Sequence, residues 1–235
     1  KDIDIYQELR AVGDFSLPII SSPMDTITGE AMACAVDTAG GLGIVHRYNS
    51  IDEQAKMVMN ITSDNHNVGA AIGIGEDYIE RALTLARAGV TFLCIDVAHG
   101  HHCKVRDALA SLREVLGEDI HIMAGNVATL EAFNDLADWG ADSVRVGIGG
   151  GSICSTRVQT GHGMPTLQSV MDCAQSDRDV ALVADGGIRT SGDIVKALAA
   201  GADFVMLGSL LAGTDETPGS VMHTKNGREK VYRGM

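Results

Sequence analysis

Eight short apolar runs, separated by helix-like segments, constrain this chain more than any other feature. They lie at 17–24 (LPIISSPM), 41–46 (GLGIVH), 68–73 (VGAAIG), 92–98 (FLCIDVA), 121–127 (HIMAGNV), 143–149 (SVRVGIG), 180–186 (VALVADG) and 204–209 (FVMLGS). Each is continuously apolar rather than alternating, the pattern of a strand buried on both faces of a parallel sheet. Between them, residues 77–88 place Ile79, Ala82, Leu83 and Ala86 on one helical stripe. Residues 104–116, 130–139 and 192–200 read the same way. Three helices close on a shared phrase: Ala88-Gly89-Val90-Thr91, Trp139-Gly140-Ala141-Asp142 and Ala200-Gly201-Ala202-Asp203. A glycine there caps the helix in the left-handed conformation, and the next strand follows at once. A repeated helix–glycine–strand phrase means a repeated unit. Eight such strands favour a closed (β/α)8 TIM barrel over an open doubly wound sheet. No linker or composition break divides the chain, so one barrel domain is expected over residues 1–235. After the eighth run only a short Leu-Leu-Ala turn and a polar segment are read, so the barrel is expected to lack its last helix.

Composition narrows the function classes. With 18 Lys+Arg against 31 Asp+Glu the net charge is −13, which argues against a nucleic-acid or anionic-membrane partner. A local phosphate site remains open, because backbone amides can hold phosphate without net positive charge. No apolar run is long enough for a membrane span, and no leader pattern opens the chain. The five cysteines are odd in number and scattered, which reads as reduced thiols in a cytoplasmic protein.

In such a barrel the chemistry gathers at the C-terminal ends of the strands. Those ends carry Asp25, His46, Asp96 with His99, Asn126, the loop 147–157, Asp185-Gly186-Gly187 and Gly208-Ser209. The loop GIGGGSICSTR sets Cys154 among glycines, hydroxyls and Arg157, a setting suited to a thiolate nucleophile rather than a small core residue. Asp185-Gly186-Gly187 and Gly208-Ser209 end strands seven and eight, whose loops commonly form a phosphate site in this fold. Together with Ser152 they suggest a phosphosugar ligand, with Asp185 accepting from a ribose diol. A barrel that isomerises or builds phosphosugars without a cofactor would have no need of Cys154. His99-Gly100-His101-His102-Cys103 contains imidazoles and a thiol, but its spacing matches no common zinc pattern. Asp96 and His99 are expected to face the pocket while the rest cap the next helix.

These residues resemble the IMP dehydrogenase/GMP reductase family. The match includes GIGGGSICSTR, SSPMDTIT at 21–28, GGLGIVH at 40–46, AGNV at 124–127, ADGGIRTSGD at 184–193, VMLGSLLAGTDETPG at 205–219 and YRGM at 232–235, in family order and spacing. The resemblance implies that Cys154 attacks purine C2, with the Thr156 hydroxyl near the reacting centre. It implies that Ser152, Gly187, Gly208, Ser209 and Tyr232 hold the 5′-phosphate, Asp185 the ribose, and Gly234 and Met235 the start of the base-binding segment. Asp96 and Asn126 match residues near the nicotinamide of NAD or NADPH. The carbonyls of Gly149, Gly151 and Cys154 match a potassium site, and family members are usually homotetramers.

The two branches of the family remain open at this stage. SSPMDTIT, GGLGIVH, ADGGI and YRGM look like dehydrogenases, which convert IMP to XMP. FLCIDVA, RVQTG at 157–161 and VMDCA at 170–174 look like reductases, which convert GMP to IMP. Many dehydrogenases insert a regulatory domain after the second helix; here Ile61 runs to Val68 with no room for one. His162 and Thr166 stand where the family usually has other residues. The family's water-activating flap follows YRGM and is expected to be missing from these residues. The nucleotide-facing motifs favour the dehydrogenase. A truncated, inactive nucleotide-binding barrel is a third reading, against which the intact Cys154–Thr156 pair argues.

Overall fold

A computed structural model describes residues 4–225 and 227–234. A hairpin, β1 (Gln7–Leu9) and β2 (Gly13–Phe15), precedes the repeat. The repeat runs β3 (Ile19–Ser21), α1 (Glu30–Thr38), β4 (Leu42–Val45), α2 (Ile51–Ser63), β5 (Gly69–Ile72), α3 (Tyr78–Arg87), β6 (Phe92–Asp96) and α4 (Cys103–Leu116). It continues through β7 (His121–Val127), α5 (Leu130–Asp138), β8 (Ser143–Val146), α6 (Thr156–Thr160), α7 (Thr166–Cys173), β9 (Ala181–Asp185), α8 (Ser191–Ala199) and β10 (Phe204–Leu207). A second hairpin, β11 (Met222–Thr224) and β12 (Gly227–Glu229), follows. Strands β3 to β10 close into one barrel, with β10 pairing in parallel with both β9 and β3. This is the expected (β/α)8 barrel, and all eight apolar runs are its strands. No helix follows β10 among the described residues.

Burial on both faces explains the continuous apolar runs. In β6, Phe92 and Cys94 point into the barrel interior with Ile20, Leu42, Ile44, Met123, Val183 and Phe204. The alternate residues Leu93 and Ile95 pack outward against the helical ring. The period is two, and both faces are apolar. The three repeated phrases behave as read. Gly89, Gly140 and Gly201 have φ of +101°, +104° and +109°. The residue after each glycine donates its N–H to the carbonyl five residues back, as in Val90 to Leu85.

The floor of the barrel is plugged. Leu9 and Phe15 of the first hairpin are buried beneath the strands, and Phe15 meets Phe204 edge-to-face at 5.7 Å. The last residue of two of the phrases also ties strands together here. Asp142 accepts from the Ile122 N–H and Asp203 from the Leu182 N–H, each at 2.7 Å. Among the described residues no helix is long and apolar enough to cross a membrane, and all five cysteines are free.

Candidate active site

A cleft of about 370 Å³ opens at the C-terminal ends of the strands. One wall is the loop after β8. There the backbone runs so close to the end of β9 that a Cβ on Gly147 would lie 1.9 Å from the Asp185 carbonyl oxygen. Gly147 also has φ +142°, so both space and conformation demand glycine. This close approach brings residues 147–151 and 185–187 into one continuous backbone surface.

The thiol sits at the edge of that surface. Cys154 is half-buried, lines the cleft, and its Sγ lies 3.3 Å from the Thr156 hydroxyl, which accepts from the thiol. The other cysteines differ. Cys94 is inside the barrel and burial pushes its thiol up to about 12; Cys173 is buried on α7, and burial likewise raises it to about 12. Both are packing residues. Cys34 lies on α1, and Cys103 opens α4 at the surface.

Residues read from distant parts of the chain converge here. Ser152, Gly187, Gly208, Ser209, Tyr232 and Gly234 all line the cleft. The Tyr232 hydroxyl lies 3.4 Å from the Ser152 hydroxyl, and a Cβ on Gly208 would be 3.6 Å from that same phenol. Gly234 passes so close to the cysteine loop that a Cβ there would be 3.0 Å from the Ile153 carbonyl. The C-terminal segment is therefore a strap across the barrel mouth. Lys230 anchors it by donating to the carbonyls of Thr214, Asp215 and Thr217 at 3.0, 3.1 and 2.6 Å. Arg233 pairs with Asp25. Met235, read as base-binding, lies outside the described residues.

On the opposite side the polar groups form a chain. Arg145 Nη2 donates to Asp96 at 2.7 Å, and Arg145 Nε donates to the Asn126 side-chain carbonyl. Asn126 Nδ2 in turn donates to Asp185 and to the Gly147 carbonyl, both at 2.8 Å. Arg47 stands 3.5 Å from the other oxygen of Asp96 and lies over the Tyr48 ring. Asn126 thus spends its side chain on protein partners, while Asp96 and Asp185 keep surface toward the cleft. Arg145, Arg47 and Tyr48 are not among the residues read as functional from sequence. Arg145 carried a signal, as a lone charge inside the apolar run SVRVGIG.

Several rim residues stand outside the cleft. Asp25 and His46 are not among its lining residues, and burial lowers His46 against a smaller opposing effect of Asp25. His99 is not a lining residue either, contrary to its expected placement. In its loop the next residue, Gly100, packs against Gly125 of β7 so closely that a Cβ would meet backbone at 2.9 Å. His102 accepts from the Lys104 N–H as the cap of α4, and His101 pairs with Asp135 at 2.7 Å. Among the described residues no group of three His, Cys, Asp or Glu side chains is placed to hold a metal.

Fold and rim together define a (β/α)8 barrel with a thiol-bearing, glycine-lined cleft at the C-terminal ends of its strands. Comparison with known proteins specifies it further. A family model described as IMP dehydrogenase / GMP reductase domain matches residues 1–235, and the chain belongs to that family. It is 47% identical over 205 residues to an inosine-5′-monophosphate dehydrogenase of Chlorobaculum parvum, covering 85% of this chain and 41% of that protein. It is 51% identical over 173 residues to one from Nitrosopumilus maritimus, covering 72% of this chain and 36% of that protein. It is 49% identical over 183 residues to a GMP reductase of Leishmania major, covering 75% and 37% respectively. The chain therefore spans well under half the length of these curated relatives.

Proposed function

We propose that the chain is the catalytic barrel of a purine nucleotide oxidoreductase that converts IMP, NAD and water to XMP and NADH through a covalent adduct on Cys154. The observation that carries this reading is the Cys154–Thr156 pair at one edge of a cleft that is also lined by Asp185, Gly187, Gly208 and Ser209. A thiol at that edge can reach the base of a nucleotide whose phosphate rests on the glycines. The Cys154 thiol gives up its proton to solvent, its sulfur bonds to C2, and the hydrogen on C2 leaves with its electron pair. Bound NAD supplies the acceptor for that hydride. The oxygen of a water then replaces sulfur at C2, which frees XMP and returns the thiol. Splitting the reaction at a covalent stage turns one difficult step into two easier ones.

The residues fit their proposed ligands. Gly187, Gly208 and the Ser152, Ser209 and Tyr232 hydroxyls supply uncharged donors for a 5′-phosphate, as an acidic protein needs. Asp185, held by Asn126, accepts from the ribose diol, and Gly234 begins the base side. Asp96, with Asn126 beneath it, marks the cofactor side. Potassium would be held by the Gly149, Gly151 and Cys154 carbonyls, neutral oxygens on one turn that suit a large monovalent cation. One catalytic domain with no inserted regulatory domain, a homotetramer and a cytoplasmic location complete the reading; they rest on the family resemblance. GMP reduction with NADPH is the second reading, favoured by the direct link of α2 to β5 through residues 64–68.

The deciding experiment follows reduced cofactor by absorbance, using the full-length protein with IMP plus NAD in one cuvette and GMP plus NADPH in another. NADH formation in the first and silence in the second is the expected result. The reverse pattern would establish the reductase, and silence in both would remove the oxidoreductase reading.

A further inference from the structure

Arg145 occupies an unusual place for a charge. Its side chain is 7% exposed at the base of the cleft, within a strand whose neighbours Val144 and Val146 are fully buried. Its guanidinium is divided among partners of different kinds. Nη1 faces the sulfurs of Met206 at 3.6 Å and Cys94 at 3.8 Å, which are weak acceptors. The strong donors point elsewhere: Nη2 to Asp96, Nε to Asn126, with Asp185 at 3.6 Å from Nε. Asn126 continues the chain to Asp185. Its orientation is dictated, because arginine can only donate, so the amide oxygen must face Arg145 and the amide nitrogen must face Asp185.

The two carboxylates at the ends of this chain serve different ligands in the reading above, Asp185 the nucleotide ribose and Asp96 the cofactor. They come from β9 and β6, strands that are not paired with each other in the barrel. We propose that Arg145 is a positioning residue that couples the nucleotide and cofactor sides of the cleft, through the relay Asp96–Arg145–Asn126–Asp185. The inference rests on the proposed function. A ligand that fixes one carboxylate fixes the guanidinium's fork, and with it the amide that orients the other carboxylate. The second ligand then binds to a site already ordered, which makes coupling positive. The effect needs arginine's planar fork; an ammonium could keep the ion pair with Asp96 but not the simultaneous bond to Asn126.

The test uses the full-length protein carrying Cys154→Ala, so that ligands bind without reacting. IMP affinity is measured by calorimetry with and without saturating NAD. NAD is expected to tighten IMP binding on the order of fivefold or more, within the usual range of coupling between sites. Arg145→Lys should bring that factor to within about twofold while each ligand still binds alone. Asn126→Ala cuts the relay one link later and should do the same, which keeps the test decisive if the arginine variant fails to fold. A residue that only supported the fold would weaken both ligands and leave the ratio unchanged. An unchanged ratio in a folded variant, or two ligands that bind the parent without influencing each other, would overturn the coupling. Failure of IMP to bind the parent at all would instead strike the proposed function.

Discussion

The two ends of this barrel are built from similar residues and put them to opposite uses. Each end carries aspartates and arginines next to a cavity, about 370 Å³ at the rim and about 530 Å³ at the floor. At the floor the polar groups close on one another. Asp142 takes the Ile122 N–H with one oxygen, which also meets Arg113, and its other oxygen meets Arg10. Arg113 spends its remaining donors on the carbonyls of Gly117, Ile120 and Gly140. At the rim, Asp96 and Asp185 are held from behind by Arg145 and Asn126 and keep a face toward the cleft. The lesson is one of accounting: a polar cluster whose bonds are all internal stabilises, and one that leaves acceptors and glycine amides facing a cleft can bind. This is the division of labour expected of the fold, with stability at the floor and chemistry at the rim.

The sharpest way to break that comparison is to remove the thiol proposed to react at the rim. Cys154→Ala is expected to lower turnover by about three orders of magnitude or more, since a nucleophile acts as part of an all-or-none unit. Its hydrogen bond to Thr156 is a weak thiol bond at the edge of a cleft, so stability should change by no more than roughly 0.5 kcal/mol. IMP affinity should stay within a few-fold, because the proposed phosphate and ribose contacts lie elsewhere. Activity above a few percent of the parent would show that sulfur chemistry is not at the centre of the site.

The floor makes the converse prediction. Asp142→Ala strands a part-buried arginine's charge and an internal strand N–H together. Breaking a buried pair from one side costs about 3–5 kcal/mol; Arg113 keeps its carbonyl partners, so the lower figure applies. A chain of this size should then melt roughly 6–12 °C lower, as read by circular dichroism. Nucleotide affinity of the folded fraction should not move. If affinity fell in step with stability, the two ends would be energetically one region and the comparison would fail.

How far each end was legible in the sequence follows from the same contrast. The strands were readable because both faces are buried, yet most of the runs overshoot, seven of them at the C-terminal end and four of those at the N-terminal end as well. Residues 143–149 were read where β8 is Ser143–Val146, 92–98 where β6 is Phe92–Asp96, and 204–209 where β10 is Phe204–Leu207. The extra residues are small or apolar and continue the pattern, but they turn away from the barrel, and they are the ones that line the cleft. The glycine loop, Cys154 and Asp185 carried local signatures and were found. Arg145 carried little, because its meaning lies in partners 49 and 19 positions away. The plug hairpin was not readable for a related reason: Leu9 and Phe15 sit in a short stretch of mixed polar and apolar residues with no run of its own, and only the open floor above them makes them core. Helix α2 is a different case, noted only by its end near Ile61 and given no range. Its capping box, Ser50 with Glu53, was present as a signal, and α1 and α7 are short segments whose apolar faces are completed by neighbouring helices.

The smallest expected effect concerns acid, and it separates the ends by pH. His121 opens β7 at the floor, stacked on Phe92 at 4.6 Å. Its Nδ1–H donates to the Arg10 carbonyl and its Nε2 accepts from the Ser143 hydroxyl, at 3.0 and 2.8 Å, so the ring is satisfied as a neutral imidazole. Burial, opposed by Asp142, lowers its pKa to about 4. An unfolded histidine titrates near 6.5, so between these values the unfolded chain binds the proton and the folded one does not. Stability is then fully present above about 6.5 and is lost as pH falls toward 4. At pH 5 the loss from this ring is on the order of 2 kcal/mol relative to pH 7.5. Urea unfolding at the two pH values measures it, and His121→Gln, which keeps a donor and an acceptor but no titrating ring, should flatten the dependence. His46 and His99 are also lowered by burial, so some acid sensitivity survives in the variant; the difference between parent and variant isolates the floor. An identical slope in both proteins would show that His121 gains its proton without unfolding the floor, and that this end is less closed than its hydrogen bonds imply.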